Sequence, residues 1–287
     1  MAQSASIIII VKERKMHLSN ILRGIHMMDV PDSIHLDVNV IHMNEAADPA
    51  PSYFKHDFYS DTISSYAPLP LARARNYGAK CAKSDNLIFL DVDCIPNSQF
   101  ITDYMKALND FPNAIFMGEV YYMNKPLPQE WNEHTLTRYG TPHPKRTYLS
   151  FEDYKKETHY QRFWSLNFAL KRDVFRNIRG FDEGFVGYGA EDTDFISTAE
   201  QLDIPLLWIK GATVYHQYHG ENTLPLHHFD DIVRNAKTYH LKWNTWPMQK
   251  WLNKFAEMQY ILWTPNSNDI TVLRHPSQTD IHQQKAA

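Results

Sequence analysis

Leu87-Ile88-Phe89-Leu90 is an unbroken apolar run that ends in Asp91-Val92-Asp93. So short and uniform a run is the pattern of a strand buried on both faces, which requires helices packed on each side of its sheet. Read as one strand as far as Pro96, the run points Asp91 and Asp93 to the same side, because strand side chains alternate. Acids at that end sit where open α/β sheets bind their ligands. Two hard oxygen donors there suit a divalent cation carrying a diphosphate, although acids also follow strands in ordinary turns. Ser6 to Val11 reads as a further buried strand opening into Lys12-Glu13-Arg14-Lys15, and Ile34 to Met43 as an alternating one ending at Asn44 and Glu45.

A second acidic group follows Gly180-Phe181-Asp182-Glu183-Gly184-Phe185-Val186-Gly187-Tyr188-Gly189-Ala190. The glycines at 184, 187 and 189 permit positive φ and close approach of a ligand, and Tyr188 between two of them reads as an exposed ring on which a sugar stacks. Phe195, Ile196, Ala199 and Leu202 then recur at helical spacing, which predicts a helix beginning between Ala190 and Thr193 with Glu191, Asp192 and Asp194 in its first turn. Acids in that position also answer the helix dipole, so the group gains weight from the upstream pair rather than alone. A β-prone segment, Gly211 to His219, delivers imidazoles, of which His216 or His219 can complete a metal sphere; mixed nitrogen and oxygen ligation suits manganese better than magnesium.

These residues resemble the family 2 glycosyltransferases of the GT-A fold, with a second half similar to the galactosyltransferase and polypeptide N-acetylgalactosaminyltransferase signature. The resemblance runs from about Ser6 to His219 and rests on Asp91-Val92-Asp93 and on Gly-Phe-Asp-Glu followed by Gly-Tyr-Gly-Ala-Glu-Asp-Thr-Asp-Phe. It implies a Rossmann-like α/β fold with a mixed, mostly parallel central sheet. It also implies transfer of a hexose or N-acetylhexosamine, galactose or GalNAc type favoured, from a UDP-sugar to a glycan or glycolipid hydroxyl. By that resemblance Asp93, Asp91 and His216 hold Mn2+ or Mg2+, Asp91 and Val92 lie against the nucleotide, Asp192 is the catalytic base, and Glu191 binds sugar hydroxyls.

The chemistry suits that implication. Loss of a nucleoside diphosphate needs a cation against the developing charge, and the acceptor hydroxyl needs a base. Direct displacement inverts the anomeric centre; a retaining enzyme of the same fold and a silent sugar-binding module are the alternatives. A nucleotidyltransferase is disfavoured because Lys12 to Lys15 contains no glycine. Arg14 is a candidate nucleotide contact, as is Asn44. The Arg75 to Gly78 segment resembles the family's Arg-Asn-x-Gly, which puts Arg73 or Arg75, with Asn76, near the diphosphate. The Phe163 to Leu170 strand is similar to the one carrying the acceptor side, with Trp164 and Asn167, and Trp164 is either a sugar-stacking ring or core. Tyr188, Gly189 and Glu191 complete the expected acceptor wall.

A net charge of −4 disfavours nucleic acid and anionic membrane as partners. Two cysteines, Cys81 and Cys94, with no secretory signal and no run of membrane-spanning length, read as a cytoplasmic protein. The expected organisation is a transferase domain over 1–225, an aromatic-rich helical extension over 226–263, and a polar, mobile tail over 264–287. Tyr121 to Tyr148, rich in proline, reads as a long loop able to act as a lid. The aromatic stripe of the extension is either packing against the main domain or a peripheral membrane contact at the inner face.

Overall fold

The computed structural model of the chain describes residues 3–66, 69–218 and 224–286. Its central sheet is built on β1 (Gln3–Val11), β2 (Ile34–Met43) and β3 (Asp57–Ile63), all parallel, with β4 (Asn86–Leu90) parallel to β1 on the other side. A short strand, β5 (Cys94–Pro96), belongs to a second sheet with β7 (Val120–Met123), β8 (Gly140–Pro142) and β12 (Val214–His216). The central sheet continues through β10 (Asn167–Lys171), antiparallel to both β4 and β6 (Ile115–Met117), and ends in β11 (Leu206–Ile209) and β9 (Tyr154–Lys156), giving the order β3-β2-β1-β4-β10-β6-β11-β9. The expected α/β architecture with a mixed, largely parallel sheet is what forms.

β1 shows why. Ile7, Ile9 and Val11 enter one core with α1 (Lys15–Met27) and α3 (Phe100–Asp110). Ile8 enters the opposite core with α2 (Leu71–Cys81), α5 (Arg172–Ile178) and α6 (Glu191–Gln201). A strand covered on both faces has no polar face to display, hence the unbroken apolar sequence. Gly78 lets α2 lie against this strand: a Cβ there would stand 2.4 Å from Ile8 Cγ2.

Two expectations need correction. The run from Leu87 to Pro96 is not one strand: β4 stops at Leu90, and Asp91 to Asp93 form a turn closed by Cys94 N–H to Asp91 O at 2.9 Å. The acids therefore converge through a turn rather than through strand alternation. Tyr121 to Tyr148 is not a featureless loop, since it carries the rest of β7, helix α4 (Glu133–Tyr139) with an Asn132/Thr135 capping box, and β8.

The extension has its own core. α7 (Phe229–Trp243) and α8 (Gln249–Glu257) bury Phe229, Phe255, Tyr260, Trp246 and Trp263, so these aromatics are packed inward. The segment beyond 263 shares in this core: Ile270 is 1% exposed, β13 (Ile261–Leu262) pairs with β14 (Thr271–Val272), and α9 (Gln278–Ala286) follows. Among the described residues no helix is long and apolar enough to cross a membrane.

Candidate active site

The turn after β4 opens onto a cleft of about 1060 Å³, walled by the ends of β1 and β4, the start of α6, and the segment joining α7 to α8. Asp91, Val92 and Asp93 all line it. The turn is fixed from both sides by Asp91 N–H to Leu166 O at 3.0 Å and Gln217 N–H to Asp93 O at 2.7 Å. Arg14, just past β1, donates from Nη1 to Asp93 Oδ2 at 2.8 Å. From β12, His216 brings Nε2 to 3.6 Å from Asp93 Oδ1, and the Tyr122 ring is stacked on that imidazole at 4.5 Å.

The three acids in the first turn of α6 do three different things. Glu191 is 5% exposed and accepts Arg75 Nη1 at 3.0 Å. Arg75 in turn reaches Asp91 at 3.3 Å and Ser165 Oγ at 2.8 Å, so one guanidinium ties the helix start to the acidic turn. Asp192 lines the cleft, with Oδ1 accepting the Thr193 N–H at 2.7 Å. Asp194 points away, accepting Trp243 Nε1 at 2.7 Å and pairing with Lys242 at 2.8 Å, which anchors the extension.

Three carboxylates, Asp91, Glu191 and Asp192, thus share one guanidinium in a buried place. Burial pushes the Glu191 carboxyl up to about 7, the Asp192 charge adding to it while Arg75 pulls back. Burial likewise lifts Asp91 to about 6 against the pull of Arg75, and raises Asp192. The cluster is short of positive charge.

The loop before α6 is held rather than hinged. Gly187 (φ +80°) and Gly189 (φ +99°) do take positive φ, whereas Gly184 does not. A Cβ at Gly187 would lie 2.3 Å from the Asp231 carboxylate, so α7 can approach only a glycine there. Asp231 accepts the Tyr188 N–H at 3.2 Å, and Asn235 donates to Gly189 O at 2.8 Å. Tyr188 is correspondingly not an exposed ring: the His228 imidazole is stacked on it at 4.4 Å, and it forms a wall of the cleft.

The family profile described as glycosyltransferase like family 2 matches residues 52–201, half of the chain. The chain belongs to the glycosyltransferase-like family 2. Curated relatives include the validoxylamine A glucosyltransferases of Streptomyces hygroscopicus subsp. jinggangensis and subsp. limoneus, each 28% identical over 153 residues, or 47% of this chain. The match spans only 36% and 34% of those proteins. Among solved structures, S. aureus TarS 1–349 covers 89% of this chain and 72% of its own length at TM-score 0.56 and 14% identity. GalNAc-T7 solved with UDP, GalNAc and Mn2+ covers 99% and 54% at TM-score 0.58 and 13% identity. At such identities these structures speak for the GT-A fold.

In this family-2 chain the cleft gathers Arg14, Arg75, Asp91, Val92, Asp93, Trp164, Tyr188, Gly189, Glu191 and Asp192. His216 touches Asp93 without lining the cleft, and four other residues expected there are elsewhere. Arg73 reaches Ser64 O at 3.3 Å on a separate shallow pocket. Asn76 clamps the Gly180–Phe181 turn, giving to Phe181 O and taking Phe181 N–H. Asn44 accepts Ser65 N–H at 2.7 Å beyond the end of β2. Asn167 is 2% exposed and bridges Tyr104 Oη to Ala212 O inside the molecule. His219 lies outside the described residues. Sequence reading missed Tyr122, His143, Lys145, His228 and Trp251, which also line the cleft; no motif marks them, since segments distant along the chain bring them together.

Among the described residues no group of three or more His, Cys, Asp and Glu side chains is arranged to hold a metal by itself. The donor set present, the Asp93 carboxylate facing the His216 imidazole, fits a cation whose remaining ligands come from a bound diphosphate.

Proposed function

We propose that this protein transfers a hexose or N-acetylhexosamine from a UDP-sugar to a hydroxyl of a glycan or glycolipid, with Mn2+ or Mg2+ and inversion at the anomeric carbon. One observation carries the reading: Arg14 and Asp93, the latter with the His216 imidazole 3.6 Å from its carboxylate, line the same cleft as Asp192. UDP as donor nucleotide is supported by the solved neighbours, whose complexes hold UDP, UDP-GlcNAc, or UDP with GalNAc and Mn2+.

Asp93 and His216, with Asp91 beside them, would hold the cation, which when bound supplies charge against the departing diphosphate. Arg14 offers the diphosphate a guanidinium from the other side. Arg75 holds Asp91 and Glu191 in place, so Glu191 supports the site through Arg75 as well as lining it. Asp192, which lines the cleft and is raised by burial, would take the acceptor proton. The clamped Tyr188 and Trp164 both line the cleft and would offer ring faces to the sugars.

Product analysis tests this. Incubation with UDP-sugars and glycan acceptors should give UDP release that depends on Mn2+ or Mg2+ and is lost in Asp93→Ala, with inverted product by NMR. Retained configuration would refute direct displacement by Asp192, and metal-independent turnover would refute the cation site.

A further inference from the structure

Arg146 is a buried cation without an acid. It is 8% exposed, and its guanidinium lies between two indoles, 4.3 Å from the Trp164 ring centre and 5.3 Å from that of Trp208. Among the described residues the one hydrogen bond of the guanidinium is Nη1 to Arg162 O at 3.2 Å, and Nε is enclosed without a partner. Among the described residues no carboxylate comes within ion-pair distance. Glu157, which accepts Trp208 Nε1 at 2.9 Å, pairs with Arg162 at 3.4 Å instead. Burial brings the guanidinium down to about 10, the phenols of Tyr122, Tyr148 and Tyr104 and the thiol of Cys94 offsetting it only in part.

Indole faces recover some of the lost hydration, but desolvating a charge without a counter-ion remains costly. Arg146 does not itself line the cleft, but the Trp164 ring it stacks on does. Trp164 presents its ring there, His143 meets Trp164 edge-on at 5.3 Å, and Lys145, the chain neighbour of Arg146, reaches the same rim. Arg14 and Arg75, by contrast, are already paired with acids.

Resting on the transferase reading, we propose that Arg146, with Lys145, is the counter-charge for a carboxylate or phosphate carried by the sugar that occupies the Trp164 side of the cleft. The substrate class is then an acidic sugar, entering either as the donor's glycosyl group or as the acceptor. The diphosphate is not the anion meant, since its place is at Arg14 and Asp93.

Calorimetry in Mn2+ separates the sources. For an acidic donor, UDP-glucuronate binds at least about tenfold tighter than UDP-glucose, and Arg146→Met abolishes the preference. For an acidic acceptor, the two nucleotides bind alike, while glucuronate or glucose 6-phosphate, and not glucose, binds the UDP-loaded protein and fails to bind Arg146→Met. Absence of any preference for the acidic sugars would overturn the proposal and leave Arg146 as packing for Trp164. Failure of UDP itself to bind would instead count against the transferase reading. The inference is then still read from melting of the ligand-free protein, which glucuronate should raise in the wild type and not in Arg146→Met, an equal response in both overturning it. Arg146→Met should melt no lower than the wild type, because it removes an uncompensated buried charge. Arg146→Lys, which keeps the charge, should keep part of the preference.

Discussion

Replacing Glu191 by Gln should make the protein less sensitive to alkaline pH. Glu191 is 5% exposed and faces Arg75 at 3.0 Å, yet burial and the Asp192 charge outweigh that ion pair and hold its carboxyl near 7 instead of 4.5. A carboxyl raised in the folded state contributes stability that is fully present below 4.5 and is lost as pH rises through 7. The difference is worth roughly 3 kcal/mol in full, most of which falls between pH 5 and pH 8. Gln keeps an oxygen for Arg75 and cannot ionise, so it deletes this pH-dependent contribution. Melting curves of both proteins, without metal or nucleotide, should diverge between pH 5 and pH 8 by about 3–5 °C, the wild type falling faster. Parallel curves would show that one guanidinium suffices for three carboxylates. A wild type that gains on the variant with rising pH would show that Arg75 holds Glu191 ionised and would refute the reasoning outright.

Asp192→Asn should leave UDP affinity within a few-fold while lowering turnover on the order of a hundredfold or more, measured by steady-state UDP release; unchanged turnover would move the base elsewhere. Gly78→Ala gains about 1 kcal/mol of helix propensity but drives a methyl to 2.4 Å from Ile8 Cγ2, so denaturant titration should show a net loss of about 1–2 kcal/mol. Trp243→Phe removes an indole donor from Asp194, which is 2% exposed, and should cost about 1–3 kcal/mol by the same assay, with a wild-type midpoint refuting the anchoring of the extension.

How far the sequence disclosed this site depended on whether a residue's role is local. Buried strands declare themselves through uninterrupted apolar runs, so β1 and β4 were legible, β2 showed itself by alternation, and the 3.6-residue recurrence bracketed the start of α6, at Glu191, between Ala190 and Thr193. Asp93, Asp192 and Arg14 lie in or beside motifs whose spacing has chemical meaning. Asn76 misled because an amide in a helix beside the site looks like a ligand contact, whereas its bonds go to the Gly180–Phe181 turn 105 positions away. Tyr188 misled in the opposite sense: flanking glycines suggest freedom, and only α7, reaching in through Asp231 and Asn235, shows that they permit close packing. Ile270 lay hidden in a polar segment because one buried residue makes no periodic pattern.

The most direct test of the account is calorimetric titration of UDP, with GDP as control, with and without Mn2+, in the wild type and in Asp93→Ala. UDP binding should require Mn2+, be weaker for GDP, and disappear in the variant. Binding that is indifferent to metal and survives loss of Asp93, or no nucleotide binding at all, would contradict it.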